Sequence, residues 1–533
     1  MIYDDKRAKT CYNKLSSKPP YCIAAERSFI MQYTNPILPG FHPDPSICRV
    51  GDDFYLVTST FEYFPGIPIF HSRDLVHWEQ IGHCLTRDSQ VKLVPGAPNC
   101  INIYAPTIRY HKGTFYVIVT NVTGDNHGNF IVTATDPSGE WSEPITLPFP
   151  GIDPSLFFDD DGKVYYLGTD GEVYLNEMNI QTGEAVGEPH SLWQGTANNP
   201  EGPHLYKIDG MYYLLIAQGG TEMCHMAVMA RSKDILGPYE PCPHNPVLTN
   251  VGHALPIKAA GHADLVDDPA GNWWAVCLGN RPLAYPFRHN LGRETMLVPV
   301  KKENGWFSMG SDSAVLTEFD VPELPPFQTN GYVPGSAVED HFDGKVLHPS
   351  WNYIYNPVPE LIRLTGKQLQ LCGNAVGLSE DAPKAWLGRR QEHFCCTAEA
   401  DITFAPERDG EEAGLTVYMN PGHHYEIAKT RLDGKAYIIL RRRIGSLQAV
   451  ENMIPCDAEQ VTLRLECDRD WYRFFFAVDG GDMVLAGSGE TQYLTTEAGG
   501  CFTGNYIALF ASGNGAPCET PADVTAFRYL PQE

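Results

Sequence analysis

The sequence is most informative at first for what it lacks. No stretch approaches the roughly 18 uninterrupted apolar residues that a membrane helix needs. The first thirty residues, "MIYDDKRAKT CYNKLSSKPP YCIAAERSFI", contain no apolar run of the kind that directs secretion. Residues 1–33 therefore read as an N-terminal extension, dispensable or preceding the true start. Basic residues are scarce: 39 Lys and Arg face 65 Asp and Glu, for a formal net charge of −26. That imbalance argues against nucleic acid and against an anionic membrane, since both need a basic footprint. The fifteen cysteines are an odd number. They form no C-x-x-C pairs and no regular spacing, so buried free thiols in a reducing, cytoplasmic setting are expected rather than a disulfide framework. Helical periodicity is equally scarce. What remains is 43% hydrophobic and 11% aromatic residues over 533 positions, enough for two or three domains with large cores.

A short phrase recurs along the first three-fifths of the chain. A turn pair leads into two bulky residues and then an aliphatic run: "GDDFYLV" at Gly51, "KGTFYVIV" at Lys112, "DGKVYYLG" at Asp161, "DGMYYLLI" at Asp209 and "AGNWWAV" at Ala270. Each reads as a turn feeding a β-strand. The spacing of roughly 50–60 residues is close to one four-stranded propeller blade. Five copies predict an all-β chain that opens with a five-bladed β-propeller over residues 34–325. A β-sandwich with similar hairpins has no reason to repeat at that length.

Eleven or twelve residues before the second bulky residue of each copy stand Asp44, Tyr104 and Ala105, Asp153, Glu201 and His262. Two carboxylates share a phrase, "HPDPS" and "IDPS", and Glu201 sits close to another proline in "NNPEGPHL". Proline lacks an N–H and is confined to edge strands or strand starts. It also pushes the preceding residue toward extended geometry. The innermost strand of a blade keeps a free edge at the central channel. Asp44, Asp153 and Glu201 are therefore expected at one channel mouth. Three carboxylates so placed cannot all ionise comfortably, so at least one pKa must rise. A protonated acid beside an ionised base is the pair that glycoside hydrolysis requires. A calcium site is the chemical alternative, but these acids stand on separate strands and form no compact D-x-D-x-D loop. Phe61, in "STFEYFPGIPIF", is the aromatic expected to reach the pocket, where ring faces stack on sugar C–H surfaces.

The segments "NPILPGFHPDPSI", "YAPTIRYHKGTFYV", "GIDPSLFFDDDGKVYYLG", "EGPHLYKIDGMYYLLIAQGGT", "AGHADLV" and "LGRETMLVPV" resemble glycoside hydrolase family 43, in order along the chain. The likeness is to its two-domain β-xylosidase and α-L-arabinofuranosidase members. The resemblance implies an inverting mechanism in which Asp44 is the general base and Glu201 the general acid. Asp153 would raise the pKa of the acid and hold its orientation. Inversion needs room for water, hence carboxyls roughly 6.5–9.5 Å apart. The resemblance further implies that Phe61 flanks the terminal sugar and that Arg293, in "GRET", binds sugar hydroxyls or an active-site carboxylate. His262 would lie on the channel axis, either holding a structural calcium ion through water or serving as a buried hydrogen-bonding histidine. No other cofactor is implied. This chain departs from many relatives at Tyr104, where Trp is common, and at Gln218, where Glu is common.

A Pro-rich passage over 326–337 reads as a linker. Residues 338–533 alternate again without the blade phrase and read as a C-terminal β-sandwich. In the resembling enzymes a sandwich loop closes the pocket and enforces exo action; "CFTGNYIALF" matches that region, with Tyr506 as the candidate contributor. The expected substrate is a xylooligosaccharide or an arabinoxylan-derived oligosaccharide, with xylose or arabinofuranose released. A sugar-binding propeller without turnover, and a retaining enzyme acting on sucrose or fructans, are the competing readings. Assembly into a homo-oligomer is left open by the residues.

Overall fold

In a computed structural model of the chain, residues 30–124, 127–322 and 325–532 are described. The N-terminal extension up to residue 29 lies outside them. Strands dominate, and the five repeat phrases fall on the second strand of five successive antiparallel sheets, four of them four-stranded and the fourth in order five-stranded. The first sheet runs Ser46–Val50, Asp53–Val57, Gly66–Ser72 and Glu79–Leu85. The others begin with Thr107–His111, Ile152–Phe158, Glu201–Ile208 and Lys258–Asp267. Each of these first strands is the free inner edge of its sheet, as the prolines required. Neighbouring inner strands pack on one another, and the fifth closes against the first, completing a five-bladed propeller.

The blade phrase has a physical origin. A second strand is covered on both faces by adjoining blades, so it needs an unbroken apolar run. Trp273–Asn280 and Thr114–Asn121 are buried at every position after the first. The outermost strand Ala185–Ser191, facing solvent, is exposed throughout.

Below the mouth, the inner strands are tied together by one buried carboxylate. Asp264 accepts hydrogen bonds from Ser46 Oγ at 2.6 Å and Ile47 N at 3.1 Å in the first blade. Arg109 Nη1, from the second blade, reaches it at 2.8 Å, and Tyr206 of the fourth donates to it at 2.6 Å. Arg109 Nη2 also meets His204 Nδ1 at 2.9 Å. Despite complete burial, the Arg109 charge and these hydrogen bonds hold the Asp264 carboxyl well below the usual carboxylate range. Breaking such a pair strands a buried charge. Asp264→Asn is expected to cost the propeller about 3–5 kcal/mol and to lower its thermal transition by about 10 °C, read by calorimetry. An unchanged transition would show that blade closure does not depend on this hub.

The C-terminal region forms a β-sandwich. One sheet runs from Ile362–Leu364 through Ala522–Pro531 and Cys396–Thr403 to Val484–Glu490; the other runs from Leu447–Pro455 through Glu412–Asn420 and Tyr506–Ser512 to Asn352–Ile354. The second sheet does not end there. Tyr63–Phe64, from the first blade, pairs with Asn352–Ile354 as its last strand. The segment "FEYFPG" thus joins propeller to sandwich, and the same segment supplies Phe61 to the pocket. Cys48, Cys84, Cys277 and Cys467 are buried free thiols. Among the described residues no helix is long and apolar enough to cross a membrane.

Candidate active site

Four inner strands enter the channel mouth with the same irregularity. Aligning the blades places Asp44-Pro45, Ala105-Pro106, Asp153-Pro154, Gly202-Pro203 and His262-Ala263 at one position. Four of these five leading residues have positive φ: Asp44 +54°, Asp153 +53°, Gly202 +56° and His262 +47°. The extended conformation expected before proline is therefore not adopted. The strand registers shift at the same places, between Ile152 and Ser155, between Glu201 and His204, and between Gly261 and Asp264. Such bulges re-aim side chains that a regular strand would direct across the sheet. A non-glycine residue held there costs of order 1–3 kcal/mol, a strain that recurs at functional sites. Glu201 stands one position ahead of the aligned set. Gly202 takes its place, and only glycine fits: besides its positive φ, a Cβ there would lie 2.9 Å from His262 Nε2.

These turns bring Asp44, Asp153, Glu201, His262, Tyr104, Phe61 and Arg293 to the wall of one cavity of about 410 Å³. Arg293 is buried, not on the surface. Its Nη1 donates to Asp44 Oδ1 at 2.7 Å and to Thr221 Oγ1 at 3.1 Å. Ser59 Oγ donates to the other oxygen of Asp44. The guanidinium lies 5.3 Å from the Phe61 ring and 5.9 Å from that of Phe502. Its second terminal nitrogen, Nη2, is buried without a partner among the described residues. Buried donors are seldom left so, and this one can serve a ligand hydroxyl. Phe61 packs 5.4 Å from Tyr104 and 5.9 Å from Phe502, giving three rings on one side of the cavity.

Burial and the neighbouring Glu201 and Asp44 carboxylates push the Asp153 carboxyl far above its usual range, against a hydrogen bond from the Gly202 backbone. Burial, then the charge of Asp44, push Glu201 up to about 7, with Arg293 opposing. The cavity therefore retains protons at neutral pH that separate carboxylates would have lost. Burial keeps His262 neutral by lowering its pKa. His225, whose Nδ1 is 2.8 Å from the Gly220 carbonyl and 3.8 Å from Glu201, is pushed down to about 3 by burial. Among the described residues no three His, Cys, Asp or Glu side chains are grouped to hold a metal ion. The single neutral nitrogen of His262 does not fit a directly ligated calcium ion.

Tyr506 is not at this cavity. It starts the strand Tyr506–Ser512, is fully buried, and stacks on Tyr63 at 3.9 Å where propeller meets sandwich. The aromatic that reaches the cavity from the sandwich is Phe502, in the loop just before that strand. Gln218 has a defined place in the fold. Its Oε1 accepts from Thr196 N and Ala197 N, and its Nε2 donates to the carbonyls of Gln194 and Ala197. Only an amide can do both, and the loop it clamps leads directly to Glu201. Thr221 and Ser59 were not singled out in sequence, although each lies inside a quoted segment, at the end of "AQGGT" and the start of "STFEYF"; their roles are defined by the guanidinium and the carboxylate they meet.

A propeller whose channel mouth gathers three carboxylates, an arginine and a cluster of tilted aromatic rings under a sandwich loop has the architecture of a glycoside hydrolase. Residues 33–307 match the model of "Glycosyl hydrolases family 43", and residues 339–530 match "Beta xylosidase C-terminal Concanavalin A-like domain". The chain belongs to glycosyl hydrolase family 43. It is 42% identical over 507 residues to a non-reducing end α-L-arabinofuranosidase of Bacteroides ovatus, covering 93% of this chain and 94% of that one. It is 38% identical to a xylosidase/arabinosidase of Butyrivibrio fibrisolvens, covering 92% and 98%. The crystal structure of a xylan β-1,4-xylosidase from Bacillus halodurans superposes with a TM-score of 0.86 at 35% identity, covering 94% of this chain and all of that one.

Proposed function

We propose that the protein is an exo-acting, inverting glycosidase that releases xylose from the non-reducing ends of β-1,4-xylooligosaccharides. The observation that carries the proposal is the convergence of Asp44, Asp153 and Glu201 from three blades on one small cavity beside Arg293. In this reading Glu201, protonated near neutrality, gives its proton to the glycosidic oxygen as the bond to the anomeric carbon breaks. Asp44, held by Arg293 and Ser59, takes a proton from the water that attacks the opposite face. Burial and the negative charge of Asp44 keep the proton on Glu201, and Asp153, itself pushed toward its neutral form, helps hold the acid in its orientation. The free Nη2 of Arg293 donates to a sugar hydroxyl, and Phe61, Tyr104 and Phe502 cover the sugar's apolar face. Phe502 also narrows the mouth, which favours chain ends over internal linkages.

Release of α-L-arabinofuranose is the second reading, favoured by the name carried by the Bacteroides ovatus relative. A panel of aryl glycosides separates the two, with proton NMR reading the first-formed anomer. A β-xyloside should give α-xylose first. Initial β-xylose would indicate retention and sink the water-activating role of Asp44.

The pH dependence carries a definite sign. Glu201 is pushed up to about 7 and must be protonated to act. Its contribution is complete below pH 7 and is lost as the pH rises through that value. On xylobiose, kcat/KM is expected to fall on an alkaline limb near pH 7, approaching tenfold per pH unit above it. A limb absent up to pH 9 would exclude Glu201 as the acid.

A further inference from the structure

The cavity at the channel mouth does not end at Phe502. Thr221, Glu222, Arg293 and Phe502 also border a second cavity of about 410 Å³, lined further by His289 and Glu497. Its walls are loops of the fourth and fifth blades on one side and a sandwich segment on the other, and the fifth-blade loop meets the sandwich segment directly. They are joined by His289 Nδ1 to Glu497 Oε1 at 2.7 Å and by Thr496 N to the His289 carbonyl at 3.0 Å. The same two segments continue outward. Arg288 Nη1 donates to Gln492 Oε1 at 2.8 Å, and beyond that bond opens a surface groove of about 370 Å³ lined by Tyr285, Arg288, Arg469, Asp470, Trp471 and Gln492. Catalytic cavity, second cavity and groove thus lie in series along one seam between propeller and sandwich.

The groove presents two large aromatic side chains to solvent. Tyr285 is 87% exposed and Trp471 is 38% exposed. The Tyr285 ring touches Phe287 edge-on at 6.1 Å and leaves most of its surface to solvent. The groove walls are nevertheless braced: Thr491 donates to the Arg469 carbonyl through Oγ1 at 2.7 Å and to the Asp470 carbonyl through its amide at 3.0 Å, while Trp471 N donates to Asp468 at 2.8 Å. Aromatic faces held on a fixed wall, interleaved with amide, carboxylate and guanidinium groups, match a ligand with alternating apolar C–H faces and hydroxyls. Eleven residues line the groove, fewer than the roughly 20–30 a side of a stable protein interface.

We propose that Tyr285 and Trp471 form a platform for the distal sugars of a long xylan-type chain whose non-reducing end occupies the catalytic cavity. A terminal sugar bound beside Asp44, Asp153 and Glu201 leaves the rest of its chain to exit, and the one loop over 285–293 that gives Tyr285 and Arg288 to the groove gives His289 and Arg293 to the cavities. The inference rests on the xylan reading above, and its test separates the two. Titration calorimetry of xylohexaose and xylobiose into Glu201→Gln protein measures binding without turnover. Adding Tyr285→Ala and Trp471→Ala together is expected to weaken xylohexaose binding about tenfold, the scale of one or two lost stacking contacts. Xylobiose, too short to reach the platform, should bind within twofold. In the active chain the same pair of substitutions should lower kcat/KM on xylohexaose about tenfold and leave that on an aryl xyloside unchanged. Unaltered xylohexaose binding, equal weakening of both ligands, or a changed sedimentation coefficient marking a subunit contact would each overturn the platform. Inactivity of the unsubstituted chain toward all aryl glycosides would instead overturn the hydrolase reading, while the binding measurement still decides the platform.

Discussion

Asp44→Asn is expected to lower kcat by about 10³–10⁴-fold on every substrate, whatever its leaving group. The reason lies in what the carboxylate holds and what it is asked to accept. Oδ1 takes the Arg293 bond and Oδ2 the Ser59 bond, so the side chain is fixed and its remaining lone pairs can receive a proton from water. Asparagine preserves the shape and one oxygen acceptor but cannot take that proton. The loss corresponds to about 4–5.5 kcal/mol of transition-state stabilisation. Because deprotonation of water is required whether the departing group is a sugar or a nitrophenol, activated substrates should not restore the rate. KM should change little, since the cavity keeps its shape, while the thermal transition should fall, because the substitution leaves the buried Arg293 charge without its partner. A kcat within tenfold of the unsubstituted enzyme would remove Asp44 from the chemistry.

The propeller could be read from the chain because blades impose a repeat. The second strand is buried on both faces in every blade, so its apolar run returns at a near-constant interval, and the inner edge strand returns with it. Asp44 and Asp153 were legible for that reason: each precedes a proline at the same step of the repeat. Glu201 was found through the same register, although Gly202 is its true counterpart. That displacement by one residue separates Glu201 from the pair in its backbone: the bulge passes to a glycine, and the glutamate stays on the regular strand, paired with Ala217. The positive φ of Asp44 and Asp153 was not legible, because local preference before proline opposes it. Closure of the channel mouth overrides that preference.

What comes from loops was harder to read. Phe502 reaches the cavity from a loop that hydrogen bonds dock on the propeller, Phe502 N to the Asn99 carbonyl at 3.3 Å and Asn505 N to the Asn290 carbonyl at 2.9 Å. No local signal distinguishes it from Tyr506, four residues on, which the same docking buries against Tyr63. The clamp made by Gln218 is equally silent in sequence: four hydrogen bonds to a loop some twenty residues earlier leave no periodic trace. Strand repeats therefore report where a carboxylate stands, while contacts between loops decide which rings and amides surround it.

Glu201→Gln is expected to separate substrates as Asp44→Asn does not. On xylobiose, where a sugar alkoxide cannot leave without a proton, kcat/KM should fall by about 10³–10⁴-fold. On 2,4-dinitrophenyl β-xyloside, whose leaving group departs as a stable anion, the loss should be no more than about tenfold. Glutamine retains the side chain's length, so its position beside His225 and Asp44 is kept while the transferable proton is not. The alkaline limb near pH 7 should vanish with the carboxyl that causes it, leaving kcat/KM on the dinitrophenyl substrate flat through that region. Each alternative makes a different forecast. If Asp153 were the donor, the limb would survive in Glu201→Gln and disappear in Asp153→Asn. If Glu201 only shaped the cavity, both substrates would suffer alike. The high position of the Asp153 carboxyl makes this comparison necessary, because two protonated groups share one cavity. The leaving-group contrast identifies which of them faces the glycosidic oxygen.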